Sequence, residues 1–225
     1  MRTSVLLPVL DERRLLPQRL AELATARPHQ VIVIDGGSSD GTQEIAADGA
    51  CELVRSPPGR GTQINAGARV ATGEVLLILH ADVRLPVGWE QHICAALEDP
   101  SVVAGAFKTW HVPESRTLLS PLFHLADLRS RVTARPYGDQ AFFVRRRVFE
   151  EVGGCPDQPL FEDLELSRRV ARRGKIRLVD ARVEVSARRF QAAPLKYLLL
   201  MNSLPGLYRA RVPLRLLQRV YGQIR

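Results

Sequence analysis

Residues 33–42 read Val-Ile-Asp-Gly-Gly-Ser-Ser-Asp-Gly-Thr, and this stretch decides the fold class. It starts inside an apolar run, residues 31–34, which is typical of a strand covered on both faces of a sheet. The run breaks at Asp35 into a turn of glycine and serine, and residues 42–48 then show a helical pattern. The stretch therefore predicts a buried strand, a polar loop and a helix in immediate succession.

The loop that follows Asp35 does not match two common ligand-binding loops. Gly37 stands where a calcium-binding EF-hand needs an oxygen ligand. No Gly-Lys-Ser or Gly-Lys-Thr follows, so the loop is not a Walker A loop. A plain turn with Ser39 or Asp40 as the helix N-cap explains the loop as well as a binding role does.

The rest of the chain continues the alternation of strand and helix patterns. We predict strands at residues 4–7, 31–34, 52–55, 75–79, 102–108, 141–144 and 176–179. We predict helices at residues 15–26, 42–48, 62–71, 87–97, 117–131 and 163–173. Such alternation indicates an α/β fold with a mainly parallel central sheet flanked by helices. We divide the chain into one domain, residues 1–190, and a C-terminal appendage, residues 191–225.

Three of the buried strands end in polar residues. The loops that follow them contain Asp11 and Glu12, then Asp35 and Asp40, then residues 80–82, which read His-Ala-Asp. Ligands bind beyond the carboxyl ends of parallel strands, and there these loops would converge. Several carboxylates at one edge repel each other unless a cation joins them. We therefore expect Mg²⁺ or Mn²⁺, which oxygen ligands suit.

Charge is distributed unevenly along the chain. The net charge is +8, from 32 Lys and Arg against 24 Asp and Glu. Residues 186–225 carry eight basic side chains and no acidic one, while the other 185 residues carry 24 of each sign. A balanced body without an aromatic and basic platform argues against a nucleic-acid binder.

The basic ending has its own pattern. On a helical wheel, one side of residues 211–225 is apolar and the other holds four arginines. The apolar side contains Val212, Leu214, Leu216, Leu217, Val220, Tyr221 and Ile224, and the basic side contains Arg211, Arg215, Arg219 and Arg225. Such a C-terminal basic amphipathic helix fits an interfacial helix on anionic lipid. A homodimer contact, or packing on the domain, fits it as well.

The expected cellular location rests on the cysteines, the N-terminal residues and the length of the apolar runs. The cysteines are far apart and odd in number, which favours a reducing cytosol over a disulfide framework. Acidic residues at 11 and 12 come too early for a signal peptide. The longest apolar run, near residues 197–201, is too short to span a membrane. We expect a cytoplasmic protein with a peripheral contact at the inner face of the membrane as one option.

Several segments in a fixed order resemble the family 2 glycosyltransferases of GT-A fold, over roughly residues 3–190. The matching segments are residues 7–12, 33–42, 59–61, 65–67, 73–82, 138–140 and 162–166. A subgroup that carries His-Ala-Asp and Gly-Asp-Gln is the most similar. In this chain His80 takes the place of the first Asp of the family's DxD motif.

The resemblance implies roles for particular residues. Asp82 would hold the metal, with His80 either a ligand or, more in keeping with its position, a neighbour of the ligands. Asp163 would be the catalytic base. The donor nucleotide sugar would contact Pro8, Leu10, Glu12, Asp35, Arg60, His80, Arg188 and Arg189. The donor sugar or acceptor would contact Gly138, Asp139, Gln140 and Glu162.

Each of these residues also has a purely structural interpretation. The acids at 162, 163 and 165 could simply complement the dipole of a helix start. Residues 138–140 could be a turn before a strand, and residues 59–61 a turn after two prolines. Either of Arg188 and Arg189 could be a solvated surface residue.

The function that the resemblance implies is metal-dependent, inverting transfer of a sugar from a UDP or GDP sugar to a hydroxyl acceptor. A lipid-linked acceptor would suit the basic ending. No histidine lies beyond residue 124, which weakens a retaining alternative in which a late histidine binds the metal.

Two other classes stay open. Sugar-phosphate nucleotidyltransferases usually carry an N-terminal glycine-rich loop with arginine and lysine, whereas residues 8–12 here read Pro-Val-Leu-Asp-Glu. A non-catalytic module that binds nucleotide sugars at a membrane would have no need of Asp82 and Asp163.

Overall fold

The structure, a computed structural model, describes residues 1–113, 136, 138–187, 199, 203–208 and 210–222. The strands are β1 (Thr3–Val9), β2 (Gln30–Asp35), β3 (Glu52–Arg55), β4 (Val75–Ile78), β5 (Val83–Arg84), β6 (Val102–Val112), β7 (Phe143–Arg145) and β8 (Lys175–Ser186). The helices are α1 (Leu16–Ala26), α2 (Thr42–Asp48), α3 (Arg60–Val70), α4 (Trp89–Ala96), α5 (Arg146–Glu151), α6 (Glu162–Val170) and α7 (Leu214–Gly222). A 3₁₀ turn spans Gly138–Gln140.

The strands form one mixed sheet in the order β3-β2-β1-β4-β7-β6-β8-β5. Pairing is parallel between β1 and β2, β1 and β4, β2 and β3, and β6 and β8. Strand β7 runs antiparallel to both of its neighbours, and β5 runs antiparallel to β8. The predicted α/β fold, with a mainly parallel sheet between helices, is confirmed.

This topology brings the site-bearing loops to one edge of the sheet, which we call the rim. The parallel strands β1, β2 and β4 end there, so their following loops lie side by side. Strand β7 runs the other way and therefore begins at the rim, directly after residues 138–140. The rim thus collects the ends of the parallel strands β1, β2 and β4 and the start of the antiparallel strand β7.

Apolar residues fill both faces of the sheet. On one face Leu16 and Leu23 of α1 and Ile93 of α4 pack against the strands. On the other face Ile64 of α3 and Leu166 of α6 do so. Residues 32–34 and 75–77 are all 0% exposed, as expected for strands covered on both sides.

Several elements differ from their predicted bounds. Helix α3 begins at Arg60, two residues before its predicted start, so the alternative interpretation of residues 59–61 as a plain turn is wrong. Gly61 there packs against the backbone of the loop between α5 and α6, since a Cβ at this position would lie 2.2 Å from the Pro156 carbonyl oxygen. Strand β8 extends to Ser186, seven residues past its predicted end.

Some predictions concern residues that the structure does not describe. The helix predicted at residues 117–131 lies outside the described residues, as do Arg188 and Arg189.

Helix α7 lies within the segment predicted to be amphipathic. Its Leu217 is 2% exposed, whereas Leu216, which was expected on the same apolar side, is 53% exposed. Arg215 and Arg219 are exposed, as the pattern predicts.

Among the described residues, no helix is both long enough and apolar enough to cross a membrane.

The side chain of Gln63 joins the ends of β1 and β2. Its Nε2 donates to the Val9 carbonyl at 2.8 Å and to the Ile34 carbonyl at 2.8 Å, and the residue is 5% exposed. We expect Gln63→Met to lower the free energy of unfolding by about 1–3 kcal/mol, because two buried carbonyls lose a donor. Urea denaturation measures this.

Gln91→Met, at an exposed position of α4, is the matched control and should change stability by no more than about 0.5 kcal/mol. Equal midpoints for the two variants would contradict the structural role of Gln63.

Candidate active site

The loop after β2 is shaped by its own carboxylate. Asp35 is 1% exposed and accepts hydrogen bonds from the Gly37 amide at 2.9 Å, the Ser38 amide at 3.1 Å and Gln43 Nε2 at 2.8 Å. Backbone donors of this kind fix the turn, and Gly37 adopts a left-handed φ of 96° within it. The expected contact between Asp35 and the donor nucleotide sugar stays a prediction.

The loops after β1 and β2 are tied together. The Asp11 amide donates to Ser38 Oγ at 2.9 Å, and the Ser39 amide donates to Asp11 Oδ1 at 2.9 Å. The Glu12 amide donates to Thr42 Oγ1 at 2.9 Å. The two loops therefore form one unit at the rim.

Around this unit, Pro8 and Glu12 are partly exposed and Leu10 is 42% exposed. Gly41 is the N-cap of α2, so neither Ser39 nor Asp40 takes that position. These exposed edges are available to a ligand above the strand ends.

Three segments that are far apart in sequence meet at His80, Gly138 and Asp163. Asp163 Oδ2 accepts a hydrogen bond from the Gly138 amide at 2.6 Å, and Oδ1 accepts one from the Leu164 amide at 2.6 Å. A Cβ at position 138 would lie 2.7 Å from His80 Cε1 and 3.1 Å from Asp163 Oδ2. A Cβ at position 138 would require the His80 and Asp163 side chains to shift, so glycine lets the Gly-Asp-Gln segment approach the His-Ala-Asp and Glu-Asp segments closely.

Glu162 and Arg60 form a partly buried ion pair. Arg60 Nη1 lies 2.9 Å from Glu162 Oε1, and the two side chains are 30% and 5% exposed. Burial raises the pKa of Glu162, and the neighbouring Arg60 opposes this increase. Because Arg60 begins α3 and Glu162 begins α6, the pair joins two helix starts at the rim.

Asp82 lies at the rim in a turn that follows β4. It is partly exposed, and its carbonyl accepts a hydrogen bond from the Ser186 amide at 3.0 Å. In the described part of the chain, no three His, Cys, Asp or Glu side chains are grouped to hold a metal. A cation at Asp82 would therefore need ligands from a bound substrate or water.

The other residues of the Gly-Asp-Gln segment differ in exposure. Gln140 is 1% exposed and donates from Nε2 to the Phe107 carbonyl at 3.1 Å, so it holds the turn against β6. Asp139 is partly exposed. Asp139 is thus better placed than Gln140 to reach a ligand.

An aromatic contact lies beside Asp163. Phe161 immediately precedes α6 and has a left-handed φ of 63°. Its ring and that of Tyr208 have centroids 4.9 Å apart. The C-terminal segment therefore contacts the start of the helix that carries Asp163.

Sequence reasoning missed two residues that shape the rim, Arg19 and Gln63. Both lie on helices and received no role from the sequence, yet they are 6% and 5% exposed. Arg19 Nε donates to the Ala81 carbonyl at 3.3 Å. A polar residue within the apolar stripe of a helix was the available signal.

The chain belongs to glycosyl transferase family 2, whose family model matches residues 4–153. It is 25% identical over 239 residues to an undecaprenyl-phosphate 4-deoxy-4-formamido-L-arabinose transferase of Yersinia enterocolitica, an alignment that covers 97% of this chain and 71% of that protein. It is also 31% identical over 96 residues to an uncharacterized glycosyltransferase of Mycobacterium bovis, which covers 42% of this chain and 43% of that one.

Solved structures share the fold. A mannosyltransferase from Pyrobaculum calidifontis, in complex with GDP-Man and Mn²⁺, matches with a TM-score of 0.72 at 20% identity over 99% of this chain and 69% of its own. TarS of S. aureus, in complex with UDP-GlcNAc, matches with a TM-score of 0.65 at 19% identity over 84% of this chain and 59% of its own. The GT-A fold expected from the sequence is confirmed by these neighbours.

The burial of Glu162 makes a prediction about pH. Since burial raises the pKa of this carboxyl above its ordinary value of 4.5, its contribution to stability is full below 4.5 and is lost as the pH rises through the raised pKa. Glu162→Gln cannot ionise. Its melting temperature relative to the unsubstituted protein should therefore increase between about pH 4 and pH 7.

The control is Glu151→Gln at an exposed position of α5. A difference for Glu162→Gln that falls as the pH rises would show that the ion pair with Arg60 outweighs the cost of burial.

Proposed function

We propose that this protein transfers a sugar from a nucleoside diphosphate sugar to a hydroxyl acceptor, in a single displacement that inverts the anomeric carbon. The observation that carries the proposal is the contact of Asp163 with Gly138 beside His80, at the rim where three parallel strands end. Membership of glycosyl transferase family 2 supports the reaction class.

Asp163 would act as the general base. Each of its oxygens accepts one backbone hydrogen bond, which orients the carboxylate and leaves a further lone pair for a proton. Asp163 takes the proton of the acceptor hydroxyl as that oxygen bonds to the anomeric carbon. The bond from this carbon to the diphosphate breaks, and the diphosphate leaves with the electron pair.

Mg²⁺ or Mn²⁺ fits the donor atoms at Asp82. One partly exposed carboxylate is a small ligand set, which suits a cation that keeps water and takes oxygens from a diphosphate. When bound, the ion would neutralise charge on the departing diphosphate. His80 lies with its Nε2 buried beside Gly138, so we place it next to the ligands.

The donor would lie over the joined loops after β1 and β2. Pro8, Leu10 and Glu12 would line the nucleoside pocket, with Asp35 beneath it and Arg60 toward the diphosphate. The neighbours in complex with GDP-Man and UDP-GlcNAc support a donor of the UDP or GDP type. Arg188 and Arg189 stay predicted diphosphate contacts. Gly138, Asp139, Gln140 and Glu162 stay predicted contacts of the sugar or the acceptor; of these, Asp139 is partly exposed, whereas Gln140 and Glu162 are buried.

We further propose a lipid-linked acceptor and contact with the inner face of a membrane. The name of the Yersinia relative refers to undecaprenyl phosphate, which supports such an acceptor. Leu207 and Leu216 are 43% and 53% exposed in the basic C-terminal segment. Tyr208 in the same segment contacts Phe161, two residues before Asp163, so a surface that binds lipid would lie near the base.

Substitution of the two central acids tests the mechanism. We expect Asp163→Asn to lower transfer by about 10²–10⁴-fold, because it removes general-base help, and to keep nucleotide binding. We expect Asp82→Asn to abolish transfer and the added thermal stability that Mn²⁺ gives with a nucleotide. A thermal-shift panel of UDP, GDP and dTDP sugars, with and without Mn²⁺, identifies the donor and measures binding.

Asp157→Asn and Asp48→Asn are the matched controls, since both positions are exposed. Full turnover by Asp163→Asn would exclude this residue as the base. Release of pyrophosphate in place of a nucleoside diphosphate would favour the nucleotidyltransferase alternative, and binding with no turnover by the unsubstituted protein would favour the non-catalytic one.

Sedimentation with liposomes tests the membrane contact. We expect a triple change of Arg211, Arg215 and Arg219 to Gln to reduce pelleting with anionic vesicles, because basic side chains near the surface contribute about 1 kcal/mol each. Deletion of residues 191–225 should abolish it.

The control is a triple change of Arg168, Arg172 and Arg173 to Gln, which removes three exposed charges at the other end of α6. Equal pelleting of all variants would end the membrane proposal and leave packing or a homodimer contact as the role of the segment.

A further inference from the structure

The turn that carries Asp82 is held through all three of its main-chain carbonyls. The His80 carbonyl accepts from the Val83 amide at 3.1 Å, and the Asp82 carbonyl accepts from the Ser186 amide at 3.0 Å. Between them, the Ala81 carbonyl accepts from Arg19 Nε at 3.3 Å. The first two donors are backbone groups that any sequence supplies, whereas the third is one particular side chain.

Arg19 reaches this turn from α1 as a buried cation. Its side chain is 7% exposed, and its Nη1 pairs with Glu22 one turn further along the helix. Burial lowers the pKa of Arg19, against the opposing charges of Glu22, Asp82 and Glu184. A buried guanidinium is costly unless its donors are satisfied, and here they are divided between a carbonyl and a carboxylate.

The Glu22 carboxylate also pairs with a second arginine, Arg84. Arg84 Nε lies 3.3 Å from Glu22 Oε1, and Arg84 Nη1 lies 3.4 Å from Glu184 Oε2. The Arg84 side chain is 56% exposed. The chain thus offers two arginines on one glutamate, of which the buried one holds the Ala81 carbonyl.

We infer that Arg19 is a positioning residue for Asp82, and this inference rests on the proposed role of Asp82 at the metal. By fixing the peptide before Asp82, Arg19 sets the direction in which the carboxylate leaves the turn. The planar fork of arginine serves both partners at once, with Nε on the carbonyl and Nη1 on Glu22. Lysine keeps the charge and lacks this fork.

A merely structural role for Arg19 makes a different prediction. If Arg19 only attached α1 to the sheet, its loss would lower the melting temperature and leave the Mn²⁺ requirement of the folded protein unchanged. A positioning role predicts a weaker response to Mn²⁺ in protein that is still folded, because groups that orient a ligand typically change metal affinity about 10–100-fold.

The experiment compares Arg19→Met, Arg19→Lys and the control Arg84→Gln. Thermal-shift titration with Mn²⁺, at a fixed saturating concentration of UDP or GDP, gives the half-saturating Mn²⁺ concentration. Hydrogen exchange of a peptide that spans residues 79–86 reports on the turn without metal. We expect Arg19→Met to raise the half-saturating concentration about 10-fold or more and to speed exchange in this peptide.

Arg19→Lys should give a smaller increase in the half-saturating concentration, and Arg84→Gln should stay within about twofold of the unsubstituted protein. If Arg19→Met does not fold, Arg19→Lys decides. An unchanged half-saturating concentration in a folded Arg19 variant overturns the positioning role alone. No effect of Mn²⁺ on the unsubstituted protein overturns the proposed metal site, and the inference with it.

Discussion

The parallel alignment of β2, β1 and β4 is the constraint on which the rest of the structure depends. Val9 and Asp35, the last residues of β1 and β2, pair with each other, and β4 runs parallel to β1 and ends where Ile78 pairs with Leu6. All three strands therefore end toward the same edge of the sheet. Were one strand reversed, its loop would lie at the opposite edge of the sheet. Strand β7 runs antiparallel to its neighbour β4, so β7 begins at the edge of the sheet where β4 ends. Asp163 can then bond the turn before β7.

This strand arrangement is accompanied by buried charged residues at the rim. Glu162 and Arg19 are 4% and 6% exposed, and each carries a charge away from water. Each is partnered by an opposite charge, Arg60 for Glu162 and Glu22 for Arg19. Removal of one partner from a buried pair leaves the other charge uncompensated, which is more costly than the pair is stabilising. The rim therefore holds buried ion pairs, and substitution of one partner of such a pair is expected to be strongly destabilising.

Local patterns in the sequence predicted the strands and helices that depend on residues close together in the chain. The apolar residues 31–34 and 75–78 lie in strands β2 and β4, as predicted, and helix α2 has the predicted bounds. The sequence patterns did not predict the contacts between residues that are far apart in the chain. The bond between Gly138 and Asp163 joins residues 25 positions apart, and Arg60 meets Glu162 across 102 positions. No periodicity records such a pairing, and only the resemblance to a family pointed to these residues together.

Strand β4 lies between β1 and β7 in the sheet. During synthesis of the chain, these two neighbours of β4 emerge at very different times. Strand β1 precedes it in the chain, whereas β7 begins about 65 residues after β4 ends. At a synthesis rate of 5–20 residues per second, this interval is roughly 3–13 s. During that time a newly made chain presents the edge of a wholly apolar strand, which is a template for pairing with other chains. Efficient production of this protein thus depends on protecting that edge until the second half of the sheet arrives.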